Sequence, residues 1–287
     1  MADTMTLVAG LLLFGFLYGT TTQARFVVRF AVLIALIAPA TTYAMLAYVF
    51  LALFGAEGST KDINSQLGFA YAGLVAWFLP IQVEVLGCQF DARRPCVFIC
   101  NHQSEVDFVA MSNAFPKDAV ILAKKSIKMI PFMGWYMALA GNVFIDRKNR
   151  ESAMETMGRV AKILQEKQVG VFMFPEGTRS RQTTNELLPF KKGAFNLAVQ
   201  GQIPIVPMVV SSYHSLYNLK NMLFEGGVIR VKVLPAIETA GLTSEDVDRL
   251  TTETHALMSQ TLVEISGTVP AYAAPLKVRD AKKAKKE

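Results

Sequence analysis

The sequence is short of the residues that mark metal, redox and secreted proteins. Its 287 residues include 3 cysteines and 3 histidines. Cys88, Cys96 and Cys100 are odd in number and contain no Cys-x-x-Cys pair, so they read as reduced, buried thiols rather than a disulfide framework. His102, His214 and His255 fit no ligand spacing, and neither a metal nor a cofactor is expected. Asn-x-Ser/Thr acceptors are absent, which points to a main domain outside the lumen. The apolar residues 5–19 lack a basic start and a clear cleavage site, so a secretory signal is not expected. No nucleic-acid-binding motif occurs, and nucleic acid is not an expected partner.

Charge is also missing, and its absence has a location. Residues 30–54 form a stretch of 25 without one charged side chain. A run of ~20 apolar residues spans a bilayer, so this is a transmembrane candidate, with Pro39 as a kink. A third apolar stretch, 67–83, is of marginal length and is interrupted by Pro80. Two spans, or a membrane hairpin with an extra interfacial segment, are expected, and residues 1–86 are assigned to this anchor. If all three stretches cross, the positive-inside bias puts Arg25, Arg29 and the main domain together on the cytosolic side.

What is present starts with excess positive charge and apolar content. The net charge is +6, with 52% hydrophobic residues and a mean hydropathy of +0.32. That balance suits an anionic partner, either a membrane surface or a phosphorylated ligand. Within 87–270, apolar runs at 95–100, 119–124, 142–146, 170–174, 203–210 and 228–234 alternate with helical stretches near 104–115, 151–168, 191–201 and 243–266. Such alternation predicts an α/β domain with a mixed, largely parallel sheet flanked by helices. Residues 125–140 run from paired lysines into aromatics and methionines, which suits either contact with lipid or a plain core helix. Residues 271–287 are a lysine-rich tail read as disordered, and Lys283 and Lys285 match the spacing of an endoplasmic-reticulum retrieval address.

Two stretches carry chemistry. In Asn101-His102-Gln103-Ser104-Glu105-Val106-Asp107, a strand ends and a helix begins. Five residues are about 500° of helical rotation, so His102 and Asp107 meet only if the histidine lies in the loop and the aspartate on the first helical turn. The carboxylate then fixes the imidazole tautomer for general-base work. The same spacing, Ser104-x-x-Asp107, is a capping-box start, in which Asp107 serves only the cap. Backbone N–H groups after Ser104 are candidate oxyanion donors. In the second stretch, Phe174-Pro175-Glu176-Gly177-Thr178-Arg179-Ser180, a turn aims backbone amides and a guanidinium at an anion, or simply pairs Glu176 with Arg179 on the surface. Arg147, Arg181, Lys191 and Lys192 are solvated charges, or a phosphate pocket if strand ends gather them.

These blocks, with Gly141-Asn142-Val143-Phe144-Ile145-Asp146-Arg147 and Ile203-Pro204-Ile205-Val206-Pro207-Met208-Val209-Val210, resemble the four ordered motifs of the glycerolipid acyltransferases. The phrase Leu188-Pro189-Phe190-Lys191-Lys192-Gly193 is similar to the 1-acylglycerol-3-phosphate acyltransferases of fungal type. The resemblance implies transfer of a fatty acyl group from acyl-CoA, a co-substrate, to the sn-2 hydroxyl of lysophosphatidic acid. It implies His102 and Asp107 as the catalytic pair. Glu176, Gly177, Thr178 and Arg179 carry over as the acceptor-phosphate site, with Arg147 and Lys192 as helpers. Ser104 is read as a helix cap rather than a nucleophile. The alternatives are glycerol-3-phosphate or another lysophospholipid as acceptor, or a non-catalytic lipid-binding membrane protein of the same fold. The endoplasmic-reticulum membrane, with the domain facing the cytosol, is the expected location.

Overall fold

Apolar runs closed off by Pro, Gly, Asn or Asp become strands where periodicity expects them. The structure, a computed structural model, describes residue 10 and residues 15–55, 62–87, 95–145, 150–181 and 184–267. Cys88, Arg147 and the lysine tail lie outside the described residues. In chain order come α1 (Thr22–Ala35), α2 (Ile37–Phe54), α3 (Ile63–Phe78), β1 (Ile81–Gly87), β2 (Val97–Cys100), α4 (Asp107–Ser112) and β3 (Ala119–Lys124). A 3₁₀ turn (Lys125–Met129), α5 (Met133–Leu139), β4 (Val143–Ile145), α6 (Arg150–Lys167), β5 (Gly170–Met173), α7 (Gly193–Gly201) and β6 (Ile205–Val210) follow. The described chain closes with β7 (Tyr217–Asn218), β8 (Leu223–Phe224), β9 (Gly227–Val233) and α8 (Val247–Ser266).

Seven strands form one sheet in the order β1-β9-β6-β2-β5-β3-β4. Every neighbouring pair is parallel except β6 with β9, so the sheet is mixed and largely parallel. The middle strands β2, β5 and β6 are buried along their whole length, as a sheet covered on both faces requires. Alternation then divides the core. Phe98 and Cys100 of β2 face a cluster completed by α1, α3 and α4, whereas Val97 and Ile99 face α6, α7 and α8. Successive connections leave β2 toward opposite sides, to β5 and β3 on one side and β6 on the other. Open α/β sheets bind ligands at such a switch point, beyond the carboxyl ends of the strands.

The anchor differs from its expected form in three respects. First, the sheet begins at Ile81, inside the stretch assigned to the anchor, because β1 pairs with β9 over its full length. Second, the stretch 67–83 is divided between α3 and β1, and α3 is 16 residues or about 24 Å long, against ~30 Å of hydrocarbon. Its inner face is held by a buried polar network in which Asn64 bonds Asn142, the carbonyl of Ala119 and the Tyr136 hydroxyl. Gly68 allows the approach, since a Cβ there would lie 2.7 Å from the Ser112 carbonyl oxygen of α4. Third, Thr22–Phe54 is one apolar helix of 33 residues, long and apolar enough to cross a membrane. Pro39 leaves no N–H for the carbonyl of Ala35, which is where α1 gives way to α2.

Both parts of this long helix touch the α/β domain. Arg25 donates to Glu225 Oε1 at 2.9 Å, and Arg29 donates to Glu225 Oε2 at 3.2 Å and to the Phe224 carbonyl at 2.6 Å. Farther along, α2 packs on α3 and α5. Residues 125–140 combine the two readings of that segment: Tyr136 is buried, while Met129 and Trp135 are 81% and 54% exposed.

Candidate active site

The site grows from one side chain at the end of β2. Asn101 is fully buried, and its amide imitates a peptide group. Its Nδ2 donates to the Val210 carbonyl at 2.9 Å, and its Oδ1 accepts the Val210 N–H at 2.8 Å. The β2–β6 pairing thus runs one step past the strand while the main chain turns away. That turn sets His102 in the loop and Asp107 at the start of α4.

Imidazole and carboxylate meet there. His102 Nδ1 and Asp107 Oδ2 are 2.7 Å apart, with Asp107 3% exposed. The same oxygen accepts the backbone N–H groups of Gln103 at 2.7 Å and Ser104 at 3.1 Å. The cap and the histidine partner are therefore one carboxylate. Ser104 Oγ accepts the Val106 N–H at 3.1 Å, a capping bond. These bonds narrow one expectation. Of the amides after Ser104 proposed as oxyanion donors, that of Val106 is taken by Ser104 Oγ and that of Asp107 by the Ser104 carbonyl at 3.3 Å.

Tyr213, which sequence reasoning did not single out, completes the arrangement. It follows β6, is 2% exposed, and donates its O–H to Asp107 Oδ1 at 2.6 Å. Burial and that carboxylate push its phenol well above the usual range, so it stays a donor. The outer face of the imidazole stacks on Phe174 at 3.9 Å between ring centroids, which fixes the ring plane. Burial pushes the neighbouring Cys100 thiol far up as well, assisted by Asp107 and Glu176. A protonated, fully buried thiol is no nucleophile.

The stretch 174–181 lies along the histidine loop. Ser180 N–H donates to the His102 carbonyl at 2.7 Å, and Arg181 N–H to that of Gln103 at 3.1 Å. Glu176 is buried, and its two oxygens accept the N–H groups of His102 at 2.7 Å and Leu188 at 3.2 Å. Its carboxylate is thus turned inward to brace two loops, a different task from gripping a substrate phosphate. Burial raises its pKa to about 7 against the pull of those amides. Gly177 sits at φ +70°, and Lys191 lies over it, 2.9 Å from where a Cβ would stand. Thr178 is exposed beside it.

Arg179 reaches the histidine loop, donating Nη1 to Glu105 Oε1 at 2.7 Å; Arg181 donates to the same oxygen at 3.1 Å. Lys192 does not join them. Its ammonium, 57% exposed, pairs with Asp248 of α8 at 2.6 Å, from its place just ahead of α7. Lys191, its predecessor, is the lysine that reaches the turn. Beside Glu105 and Arg181 opens a cleft of about 230 Å³, bounded also by Gln103, Ser104, Tyr213, His214 and Lys220.

A buried carboxylate holding a half-buried imidazole, at the strand ends where cations collect, is the equipment of a general-base transferase acting on an anionic substrate. A family model described as Acyltransferase matches residues 82–211. The chain is 37% identical over 229 residues to a 1-acyl-sn-glycerol-3-phosphate acyltransferase of Saccharomyces cerevisiae, covering 80% of this chain and 74% of the relative. It is 39% identical to the human 1-acyl-sn-glycerol-3-phosphate acyltransferase beta over 68% of this chain and 72% of that one. The fold matches the crystal structure of PlsC, an acyltransferase from Thermotoga maritima, with a TM-score of 0.67 at 20% identity, covering 87% of this chain and 96% of that one. The chain is an acyltransferase and belongs to the family of the 1-acyl-sn-glycerol-3-phosphate acyltransferases.

Proposed function

We propose that the protein moves a fatty acyl group from acyl-CoA to the sn-2 hydroxyl of lysophosphatidic acid, giving phosphatidic acid and free CoA. The observation that carries this reading is the 2.7 Å contact between His102 Nδ1 and Asp107 Oδ2. With Nδ1 held by the carboxylate, Nε2 is the nitrogen that takes a proton. It removes the acceptor's hydroxyl proton as that oxygen attacks the thioester carbonyl. The tetrahedral intermediate collapses with cleavage of the carbon–sulfur bond, and the proton passes from Nε2 to the departing thiolate. Asp107 stabilises the imidazolium between these steps. The acceptor hydroxyl is itself the nucleophile, so no acyl-enzyme forms. Arg179, with Arg181 and Lys191 close by in the chain, supplies the charge for the acceptor's phosphate. Glycerol-3-phosphate would use the same cations; the names of the relatives and the apolar helices support the lipid.

The same reading puts the protein at the endoplasmic-reticulum membrane with its catalytic domain in the cytosol. Its support is the pairing of Arg25 and Arg29 with Glu225, which keeps the basic start of the apolar helix on the domain's side. The test is detergent-purified protein supplied with oleoyl-CoA and a panel of acceptors. Lysophosphatidic acid should yield phosphatidic acid and free thiol. His102→Ala should lower turnover by about 10²-fold or more without unfolding the domain. Arg179→Ala should act chiefly on KM for the acceptor. Turnover of glycerol-3-phosphate but not of lysophosphatidic acid would overturn the assignment.

A further inference from the structure

Glu105 sits where a substrate anion belongs. Its Oε1 accepts from Arg179 at 2.7 Å and from Arg181 at 3.1 Å, and its Oε2 accepts the Tyr217 hydroxyl at 3.4 Å. Its side chain is 19% exposed, compared with 37% and 55% for the two arginines. The guanidiniums therefore face outward, and the carboxylate occupies their inner edge. Among the described residues Glu105 is the anion bonded to Arg179, the residue to which the proposed function gives the acceptor's phosphate.

We infer that Glu105 is a built-in competitor for that phosphate, an internal anion that holds Arg179 and Arg181 together in the free enzyme and yields them to the acceptor. The inference deepens the proposed function and rests on it. Two guanidiniums on one carboxylate leave a net charge of +1 at the cluster. Without a counter-ion the two cations would repel, so the carboxylate keeps the pair assembled. A phosphomonoester, carrying about −1.5 to −2 near neutral pH, outbids a carboxylate for a planar, bidentate donor set. The displaced side chain has somewhere to go. Glu105 borders the cleft of about 230 Å³ that Lys220 also lines. Specificity follows from this exchange. An acceptor has to bring enough negative charge to replace the one already there, and Coulomb energy scales with that charge.

Glu105→Gln separates this role from bracing, because the amide keeps an acceptor oxygen for Arg179 and removes only the charge. As a competitor, Glu105 predicts that the variant has a lower KM for lysophosphatidic acid, by roughly two- to fivefold, the worth of a partly exposed ion pair. Inorganic phosphate should inhibit the variant more strongly by a similar factor. Lysophosphatidylcholine, a phosphodiester with less negative charge to offer, should gain less than the monoester. A KM that rises or stays unchanged would overturn the inference and make Glu105 a brace. Binding of inorganic phosphate to wild type and variant by calorimetry gives the same comparison without turnover. Failure of the wild type to acylate lysophosphatidic acid would then sink the proposed function alone, and equal phosphate affinities would sink this inference alone.

Discussion

Tyr213 reaches the His102 imidazole through a carboxylate. It donates to Asp107 Oδ1 while Oδ2 holds His102, so each aspartate oxygen has its own ring as partner. Hydrogen bonds to charged groups are worth about 1.5–3 kcal/mol. Tyr213→Phe should therefore lower kcat by about tenfold or more with KM for either substrate little changed. A purely structural tyrosine would lower the melting temperature and leave kcat of the folded fraction intact. Glu176 makes a second prediction at this scale. Its pKa is about 7 in the folded protein against 4.5 as its ordinary value. Between those values the unfolded chain has lost the proton and the folded chain keeps it, so stability declines as pH rises through that window. The full penalty, on the order of 3 kcal/mol, applies above the folded value and disappears below the unfolded one. Thermal melts of wild type against Glu176→Gln, taken across the window, should show the difference growing toward alkaline pH. A constant difference would disprove the linkage.

At the scale of elements, the β2–α4 junction depends on Asn101 more than on any propensity. Asn101→Ala would strand the buried Val210 N–H, at a cost of about 1–3 kcal/mol. The denaturant midpoint should fall accordingly, and turnover per folded molecule should fall with it, because His102 is the next residue. The central strands were legible because they are unbroken apolar runs between turn residues. β1 was not. Ile81-Gln82-Val83-Glu84-Val85-Leu86-Gly87 alternates on an edge, with Glu84 and Val85 exposed, and directly follows an apolar helix, so it read as the end of that helix. The two-residue strands β7 and β8 are too short to leave any period. Within the site, the five-residue spacing of His102 and Asp107 could be read from the chain. Tyr213 could not, since it stands 106 residues from Asp107 in a Ser-Ser-Tyr-His stretch with no local signature. Only the sheet, by laying β6 beside β2, brings them together.

For the whole molecule, the question is how a charged site and an apolar surface share one body. Leu46, Phe50, Leu53 and Phe54 of α2 are each more than half exposed, as are Phe69, Trp77 and Phe78 of α3 and the nearby Met129 and Trp135. Large apolar side chains left exposed in such number suit the membrane contact of the proposed function. Replacing Phe50, Phe54 and Trp77 together by serine should weaken co-sedimentation with phospholipid vesicles by about tenfold or more, each lost burial costing up to roughly 1.5–3 kcal/mol. Activity on acceptor supplied below its micellar concentration should survive. Vesicle binding equal to that of wild type would show that other residues make the contact.

The bonds from Arg25 and Arg29 to Glu225 tie the start of the apolar helix rigidly to the loop beyond β8, while α2 is packed on α3 and α5. With root and shaft both fastened, the His102 loop keeps a constant stand-off from the long apolar helix. Under the proposed function, a lysolipid would present its hydroxyl to that loop with its tail still in a leaflet, and the water-soluble donor alone would travel.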